Sequence, residues 1–235
     1  MLTKMQPDGN LLSVVVPMFN EEPTVGDVIT RLEGVLEKTG LPHEIIVVDD
    51  YSRDHSVEAA RSKHAKVYRL KQHMGKGYAL RAGFVKAKGT LIATIDSDGS
   101  HRPEELPLLL EPVLQGEADL VIGSRFSMPT TATSRRNQAG NRLFNVLIHV
   151  LTGNPISDSQ SGYRVMTAKV LRSMKLKSFE YQIESEMLVK TVRKGFRVKE
   201  VPVSFEQRTF GRSQIDPVVD GYKIFMSIIS ALLRG

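Results

Sequence analysis

The sequence predicts an α/β fold, a mainly parallel sheet flanked by helices. Short β-branched runs alternate with longer segments of helical spacing through the first half of the chain, which is the pattern of consecutive βαβ units. Acidic or polar residues follow three of these runs directly. Ligands of such sheets bind in the crevice at the carboxyl ends of the strands, so the runs that predict the fold also predict the place of its site.

Five strands and four helices are predicted in this half. The strands are Leu12–Pro17, Glu44–Asp49, Lys66–Leu70, Leu91–Ile95 and Asp119–Ile122. The helices are Glu22–Lys38, Asp54–Lys63, Gly77–Lys86 and Pro103–Leu114, two of which have a proline near the first turn. The strand ends direct attention to residues 17–20, 49–52 and 96–98.

Beyond Arg125 the pattern changes. Ser127–Ser134, rich in Thr, Ser and Pro, is either a mobile loop over the site or a plain surface connection. The remaining predicted elements are a helix from about Arg135 to Leu151, an irregular segment Gly153–Gly162, a helix near Glu184–Lys194, an edge strand Arg197–Phe205 and a basic loop Gln207–Ile215.

Length and composition bound the class of protein. At 235 residues we expect one domain with two functional halves, residues 1–125 and 126–235. With 41% hydrophobic and 25% charged residues, a disordered or collagen-like chain is excluded. The absence of cysteine excludes disulfides, thiolate zinc sites and a cysteine nucleophile. The net charge of +6 indicates either anionic partners, such as phosphates, or a solvated basic surface.

The two ends of the chain bear on membrane association. Met1–Asn10 lacks the pattern of a secretory signal, so we expect the chain to start in the cytoplasm. The apolar run Phe225–Leu233 is shorter than the roughly 20 residues that cross a bilayer. It is expected to be a helix packed on the core, an amphipathic helix lying on a surface, or the start of a membrane region beyond Gly235.

The strongest chemical signal is Asp96-Ser97-Asp98, directly after an apolar strand. Residues two apart in extended backbone point to the same side, so both carboxylates can face one cation. Their hard oxygens suit Mg²⁺ or Mn²⁺, which keep open positions for the phosphate oxygens of a substrate. The alternative is an acidic turn that caps the next helix, but neighbouring acids repel each other unless a cation lies near.

Two further strand ends carry polar groups. Asp49-Asp50 either accepts hydrogen bonds from a base or ribose, or belongs to a turn that caps the next helix. Pro17, Asn20 and Glu21 end the first strand and would touch the same nucleotide, although Glu21 is equally an ordinary acid of a first helical turn.

Lys76 lies between two glycines at a predicted helix start. Glycine lets the backbone approach a diphosphate, and the ammonium group would neutralise it. The spacing is not that of a P-loop.

Seven motifs, in order along nearly the whole chain, carry a family resemblance. They are Val-Pro-Met-Phe-Asn-Glu (16–21), Val-Asp-Asp-Tyr-Ser (48–52), Gly-Lys-Gly-Tyr-Ala-Leu (75–80), Asp-Ser-Asp-Gly (96–99), Gly-Ser-Arg-Phe (123–126), Ser-Asp-Ser-Gln-Ser-Gly-Tyr-Arg (157–164) and Glu-Val-Pro-Val (200–203). Together they resemble family 2 glycosyltransferases, and most of all the dolichyl-phosphate (polyprenyl-phosphate) mannose and glucose synthases.

The resemblance implies a GT-A fold and metal-dependent transfer of a hexose with inversion, with Mg²⁺ or Mn²⁺ on Asp96 and Asp98. It implies that a nucleotide-sugar donor, a GDP- or UDP-hexose, contacts Pro17, Asn20, Glu21, Asp49, Asp50, Lys76, Asp96, Ser97 and Asp98. It implies that the phosphate of a polyprenyl (dolichyl) acceptor faces Arg125, Arg135, Arg136, Arg208 and Arg212.

Two positions depart from the family pattern. Tyr51 stands where the family usually has glycine, and Ser100 stands where mannose synthases often have glutamine. The first change is expected to reshape the base pocket, and the second to leave a metal contact to water.

The nature of the acceptor decides whether a base is needed. A lipid phosphate is already an anion and needs only cationic residues to hold it in line. A hydroxyl acceptor on a polysaccharide or glycolipid needs a carboxylate, for which Asp158 is the first candidate and Glu184 the weaker one; Asp158 is otherwise a loop acid that bonds its own backbone. The basic loops favour the phosphate acceptor, reached at the cytoplasmic face of a membrane either by peripheral contact or through a membrane partner.

Two other classes of function, a nucleotidyltransferase and a nucleic-acid-binding module, compete with this one. A nucleotidyltransferase would also use a nucleotide and acidic metal ligands, but the chain lacks its glycine-rich start. A basic nucleic-acid-binding module is disfavoured by 6% aromatic residues and the absence of tryptophan, so no nucleic-acid partner is expected.

Overall fold

The computed structural model describes residues 9–125, 145, 149, 156–206 and 219–234. Their strands are β1 (Leu12–Met18), β2 (His43–Asp49), β3 (Lys66–Arg69), β4 (Leu91–Thr94), β5 (Leu120–Ser124), β6 (Arg164–Thr167) and β7 (Val198–Pro202). Their α-helices are α1 (Val25–Thr39), α2 (Ser56–Arg61), α3 (Lys76–Lys86), α4 (Leu106–Leu114), α5 (Ala168–Arg172), α6 (Ile183–Arg193) and α7 (Val219–Arg234). A short 3₁₀ helix, Pro103–Glu105, precedes α4.

All seven strands form one sheet in the order β3-β2-β1-β4-β6-β5-β7. β1 pairs in parallel with β2 on one side and β4 on the other, and β6 runs antiparallel between β4 and β5. The chain moves outward from β1 to β3 and then returns to the other side of β1. This reversal opens a crevice between the carboxyl ends of β1 and β4, where α/β sheets bind their ligands.

Helices cover both faces of the sheet, which explains why its central strands are apolar throughout. All seven residues of β1 are buried. Val14 belongs to a core cluster with Leu32 of α1, whereas Val15 belongs to a second cluster with Leu80 of α3. Gly83 lets α3 lie directly on β1, since a Cβ there would come within 2.3 Å of Val15 Cγ1.

The five strands and four helices predicted in the first half are confirmed, with ends that shift by a few residues. The predicted helix from Pro103 begins as a 3₁₀ turn, and the predicted edge strand is β7, which does lie at the edge of the sheet. Strand β6 and helix α5 were not predicted. β6 is only four residues long and begins with a buried arginine, so neither length nor apolar alternation marks it in the sequence.

Three predicted segments fall mainly outside the described residues. They are the loop Ser127–Ser134, the helix from about Arg135 to Leu151, within which Asn145 and His149 are helical, and the loop Gln207–Ile215.

The C-terminal apolar run belongs to α7, which packs against the core. Ile224 and Ile228 are buried in the same cluster as Leu188 of α6. Packing on the core, one of the three alternatives for this run, is thus observed for one side of the helix. No helix in the described part of the chain combines the length and apolarity needed to cross a bilayer.

Candidate active site

The carboxyl ends of β1, β2 and β4 and the start of α3 enclose a crevice, here called the strand-end crevice. Its lining includes Pro17, Glu21, Asp50, Lys76, Asp96, Ser97, Asp98, Glu180 and Tyr181. Seven of the nine residues predicted to contact a nucleotide sugar therefore lie together. The other two, Asn20 and Asp49, are not part of this lining.

Asp96 forms an ion pair with a lysine, so its acidic neighbour Asp98 is not the only charged group nearby. The Nζ atom of Lys76 lies 2.7 Å from Asp96 Oδ1 and 2.9 Å from Glu184 Oε1. Burial alone would raise the pKa of Asp96, but the charge and hydrogen bond of Lys76, together with other nearby groups such as Arg125, hold that pKa below its usual range. The carboxylate is thus kept charged, with a cation of the chain beside it.

The turn after Asp96 is ordered by its own side chains. Ser97 Oγ donates to the carbonyl of Pro17 at 2.8 Å, which ties the end of β4 to the end of β1. The N–H of Ser100 donates to Asp98 Oδ1 at 3.0 Å, and Gly99 between them has a φ of 75°. Asp96 and Asp98 both line the crevice. The strand ends at Thr94 and residues 97–98 form a turn, so this turn, rather than the alternation of an extended strand, places the two side chains.

The donor set at this turn fits a hard divalent cation. Two carboxylates line one crevice, and one of them already attracts an ammonium ion. Among the described residues, no group of three or more His, Asp or Glu side chains is arranged to hold a metal ion. An ion on Asp96 and Asp98 would therefore complete its coordination with substrate or water oxygens, as Mg²⁺ commonly does.

Gly162 brings backbone against this ion pair. A Cβ at this position would come within 2.7 Å of Asp96 Oδ2 and 2.9 Å of Lys76 Nζ. Thr94 Oγ1 donates to the Gly162 carbonyl at 2.7 Å and fixes the approach. At this position of the 157–164 motif, glycine leaves the space that the Asp96 and Lys76 side chains occupy, and no left-handed backbone conformation is involved.

Asp50 shapes the wall of the crevice. Its Oδ1 accepts the N–H of Met74 at 2.7 Å, its Oδ2 accepts the N–H of Gly75 at 2.8 Å, and His73 Nδ1 lies 2.8 Å from Oδ2. The His73 ring stacks on Phe19 with 4.3 Å between ring centroids. Asp50 thus fixes the segment that leads into Lys76.

Asp49 and Asn20 order the turns next to the lining. The fully buried Asp49 accepts the N–H of Ser52 at 3.1 Å and lies 3.2 Å from Arg69 Nε. Asn20, with a φ of 54°, donates its N–H to Ser52 Oγ at 2.9 Å and accepts the N–H of Arg53 at 2.8 Å. Both side chains support the shape of the site from outside it.

Tyr51 departs from the family pattern at a position that favours glycine. Its φ of 70° lies in the left-handed region, where a side chain adds strain. The ring is 41% exposed and lies under the guanidinium of Arg69, 5.3 Å from its centre. The aromatic ring therefore projects at the rim of the β2 turn.

A second polar cluster centres on Arg125 and Asp158. Arg125 Nε donates to Asp158 Oδ2 at 2.7 Å and Nη2 donates to Oδ1 at 2.8 Å, while the Arg125 N–H also reaches Oδ2. Glu200 accepts the N–H groups of Ser157 and Asp158, each at 2.8 Å. Three of the quoted motifs, 123–126, 157–164 and 200–203, thus meet in one cluster.

His101 lies between these two groups of residues and is almost completely buried. Its ring packs against those of Tyr163 and Phe205, with centroids 5.2 and 5.3 Å away, and its Nδ1 has no hydrogen-bond partner. Burial lowers its pKa to about 4, so the ring is neutral at physiological pH. The Arg125 guanidinium lies over the Phe205 ring, 5.0 Å from its centre.

Arg164 is a structural residue that no prediction assigned. Its guanidinium donates to the carbonyls of Ser159, Ser161 and Glu184 at 2.7 to 2.8 Å, and burial lowers its pKa to about 10. It thereby joins the 157–164 segment to the start of α6. An arginine inside the motif was visible in the sequence, but its partners are carbonyl groups, which no pattern of side chains reveals.

Four predicted residues cannot be placed in the cluster. Arg135, Arg136, Arg208 and Arg212 lie outside the described residues.

Known proteins resemble this chain in sequence and in fold. The family model described as Glycosyl transferase family 2 matches residues 13–174. An undecaprenyl-phosphate mannosyltransferase of Micrococcus luteus is 32% identical over 88% of this chain and 88% of its own length. A dolichyl-phosphate hexose transferase of Haloferax volcanii is 28% identical over 95% of this chain and 94% of its own length.

A solved structure shares the fold. Glucosyl-3-phosphoglycerate synthase of Mycobacterium tuberculosis, in complex with Mn²⁺, UDP and phosphoglyceric acid, superposes with a TM-score of 0.80 at 22% identity. The match covers 96% of this chain and 79% of that one. The predicted GT-A fold, a mostly parallel mixed sheet flanked by helices, is confirmed.

Proposed function

The chain belongs to glycosyl transferase family 2, and from that premise we propose that it transfers a hexose from a nucleotide sugar to a polyprenyl phosphate. Residues 1–125 would form the donor half of one domain and residues 126–235 the acceptor half. The names of its relatives, which include transferases of dolichyl and undecaprenyl phosphate, support this acceptor class.

One observation carries the donor side of the proposal. Asp96 and Asp98 line a crevice at the point where the strand order reverses, and Lys76 supplies a cation at the same place. A nucleoside diphosphate needs this combination of metal-binding carboxylates and positive charge. Mg²⁺ or Mn²⁺ held by Asp96 and Asp98 would stabilise charge on the leaving diphosphate.

Lys76 has a defined task in this scheme. Between Asp96 and Glu184 its ammonium group is held in the crevice, within reach of a bound diphosphate. Asp50 fixes the backbone before it, and Asp49 and Asn20 brace the turn beside it. We assign these three residues to the shape of the donor site, beside Pro17, Glu21 and Ser97 on its lining.

Arg125 is the described residue that we assign to the acceptor phosphate. Asp158 orients its guanidinium through two parallel hydrogen bonds and keeps it charged. Asp158 is fully buried and both of its oxygens bond Arg125, a geometry that favours orientation of the arginine over service as a base. A phosphate acceptor needs no base, because it already carries its negative charge.

The transfer itself would invert the anomeric carbon by direct displacement. A phosphate oxygen of the acceptor forms the new bond to that carbon as the bond to the nucleoside diphosphate breaks, and no proton has to move. The described residues act on this step by alignment and by charge, through Lys76 on the leaving side and Arg125 on the attacking side.

A transfer assay tests the proposal. The protein is incubated with labelled GDP- and UDP-hexoses, Mn²⁺ or Mg²⁺, and either undecaprenyl phosphate or a hydroxyl acceptor such as a glycolipid. In this assay we expect label in the polyprenyl phosphate with one of the donors. In the cell, the reaction would take place at the cytoplasmic face of a membrane. Label that enters only hydroxyl acceptors would contradict the proposal and return Glu184 and Asp158 to consideration as bases.

A further inference from the structure

The side chains described in helix α7, at residues 221–228 and 230, form two apolar faces, and core packing uses only one. Ile224 and Ile228 are buried. Tyr222, Phe225 and Met226 are 66%, 44% and 45% exposed, and their spacing places them on one stripe of the helix. Three large apolar side chains exposed side by side mark a contact surface rather than chance exposure.

A groove bordered by α6, α7 and residues 173–182 adjoins this stripe and is strongly basic. Its described lining contains one acidic residue, Glu186, and five lysines, Lys175, Lys177, Lys190, Lys194 and Lys223. Glu186 already bonds Lys190 Nζ at 2.6 Å and accepts the N–H groups of Lys177 and Ser178. The groove therefore has a marked excess of positive charge.

We infer that this face, the exposed stripe of α7 together with the lysines of the groove, rests on a bilayer of anionic phospholipids. Lysines close to an anionic leaflet each add to binding, and apolar side chains on an amphipathic helix enter the boundary between headgroups and acyl chains. Ile224 and Ile228 hold one side of α7 on the core, so the exposed stripe on its other side would lie along the bilayer surface. A nucleic acid would satisfy the lysines but would leave Phe225 and Met226 in water.

The proposed face also lies next to the strand-end crevice. In the segment Ser178–Gln182, Phe179 lines the groove while Glu180 and Tyr181 line the crevice. The N–H of Tyr78 in α3 donates to the Phe179 carbonyl at 3.0 Å and fixes this segment on the donor side. A bilayer on the groove would thus lie one short segment away from the donor. The functional meaning of this proximity between bilayer and donor rests on the proposed lipid acceptor.

Vesicle flotation tests the inference without any sugar transfer. The purified chain is mixed with vesicles of phosphatidylcholine alone or of equal parts phosphatidylcholine and phosphatidylglycerol. We expect binding to the anionic vesicles that weakens as salt is added. The variant Tyr222→Ser/Phe225→Ser/Met226→Ser and the variant Lys175→Gln/Lys177→Gln/Lys194→Gln should each bind anionic vesicles on the order of 10- to 100-fold more weakly.

Matched variants elsewhere on the surface serve as controls. Tyr68→Ser/Val85→Ser/Leu108→Ser removes three other exposed apolar side chains, and Lys38→Gln/Lys86→Gln/Lys88→Gln removes three other exposed lysines. Both controls should bind vesicles like the parent. Equal loss in test and control variants, or tight binding to an oligonucleotide that the lysine variant alone abolishes, would overturn the inference.

The proposed function is measured separately on the same variants. A short-chain, water-soluble polyprenyl phosphate removes the need for a bilayer, and the α7 variant should use it at the parent rate. Transfer without vesicle binding would overturn the membrane face and leave the function standing. Vesicle binding without transfer would support the face and contradict the function.

Discussion

Arg125 and Asp158 form a two-point ion pair, with Nε–Oδ2 and Nη2–Oδ1 distances of 2.7 and 2.8 Å. Asp158 has no exposed surface. Burial lowers the pKa of the Arg125 guanidinium, but the charge and hydrogen bonds of Asp158, together with the charges of Asp96 and Glu184, raise it above its usual value. A planar guanidinium group held by two parallel hydrogen bonds has one orientation. The pair therefore presents a fixed positive group on the acceptor side of the proposed site.

The first prediction separates orientation from base catalysis at Asp158. Asp158→Asn should raise the KM for polyprenyl phosphate roughly tenfold while kcat keeps its dependence on pH, because Arg125 loses its orientation and no proton transfer is lost. Urea unfolding should show a loss of about 3 kcal/mol, since a buried guanidinium loses its counter-charge.

The exposed pair Arg197–Asp119 supplies the control for this variant. Asp119→Asn should cost at most about 1 kcal/mol and leave transfer unchanged. Asp158 would be a base, against our assignment, if Asp158→Asn left KM unchanged but removed the acidic limb of the kcat profile.

His101 predicts a specific dependence of stability on pH. Burial lowers its pKa to about 4, below the value of about 6.5 that it has in the unfolded chain. As pH falls, the unfolded state takes up the proton first, so stability is full above about pH 6.5 and is lost toward pH 4. Over this window His101 should account for about 3 kcal/mol.

The variant His101→Phe isolates this contribution, because it keeps a ring between Tyr163 and Phe205 but does not titrate. Urea unfolding in steps from about pH 7 to about pH 4 should show the parent losing about 3 kcal/mol more than the variant. Parallel curves for the two proteins would mean that His101 titrates normally in the fold.

The fold was largely visible in the sequence because the central strands are buried on both faces. Runs such as Val14–Val16 and Ile45–Val48 are apolar without interruption, and each ends in a polar turn that marks the crevice. Strand β6 was not visible, because the antiparallel partner of β4 and β5 is short and starts with Arg164. A buried arginine whose partners are three carbonyl groups reads as a surface charge in the sequence.

The sequence predicted which residues form the site but not which of them contact one another. Asp96, Asp98, Lys76 and Asp50 do line one crevice, as the strand ends predicted. The position of Lys76 beside Asp96 depends on the side chain of Glu184, far along the chain, and on the space left by Gly162. Such contacts between distant segments follow from packing rather than from local pattern.

Residues 203–206 are anchored to the segment after the acidic turn. Ser204 donates its N–H and its Oγ to the carboxylate of Glu105, at 2.9 and 2.7 Å. The N–H of Glu206 donates to the carbonyl of Ser100 at 2.9 Å. This anchor directly precedes the stretch that contains Arg208 and Arg212 in the sequence.

Removal of the anchor should affect the acceptor more than the donor. Glu105→Ala is expected to raise the KM for polyprenyl phosphate severalfold and to leave the affinity for the nucleotide sugar unchanged, at a stability cost of about 1–2 kcal/mol. The adjacent Glu104→Ala, which removes an ion pair with Arg31 at the surface, is the control and should change neither constant. Equal effects of the two variants on KM would contradict a role of this anchor in acceptor binding.

Gly162 tests the crowding around Asp96. In Gly162→Ala the new methyl group must displace the ends of Asp96 and Lys76, which are flexible, so stability should fall by no more than about 1–2 kcal/mol. Donor affinity, measured by isothermal titration with the nucleoside diphosphate and Mn²⁺, should fall at least about tenfold. Gly34→Ala in α1, where a Cβ meets nothing within 4 Å, is the matched control and should leave binding intact. Unchanged affinity in Gly162→Ala would show that the observed position of the pair does not matter.

The central claim is that Asp96 and Asp98 together hold the donor's diphosphate through a divalent ion, and the most direct test is hexose transfer by Asp98→Asn, which removes a charge and keeps the shape. We predict that the parent transfers label from its nucleotide sugar to polyprenyl phosphate only with Mn²⁺ or Mg²⁺ present. Asp98→Asn should be slower by at least about a hundredfold at saturating metal, with an unfolding midpoint close to that of the parent. Transfer by Asp98→Asn at the parent rate, or undiminished transfer by the parent in excess EDTA, would contradict the account.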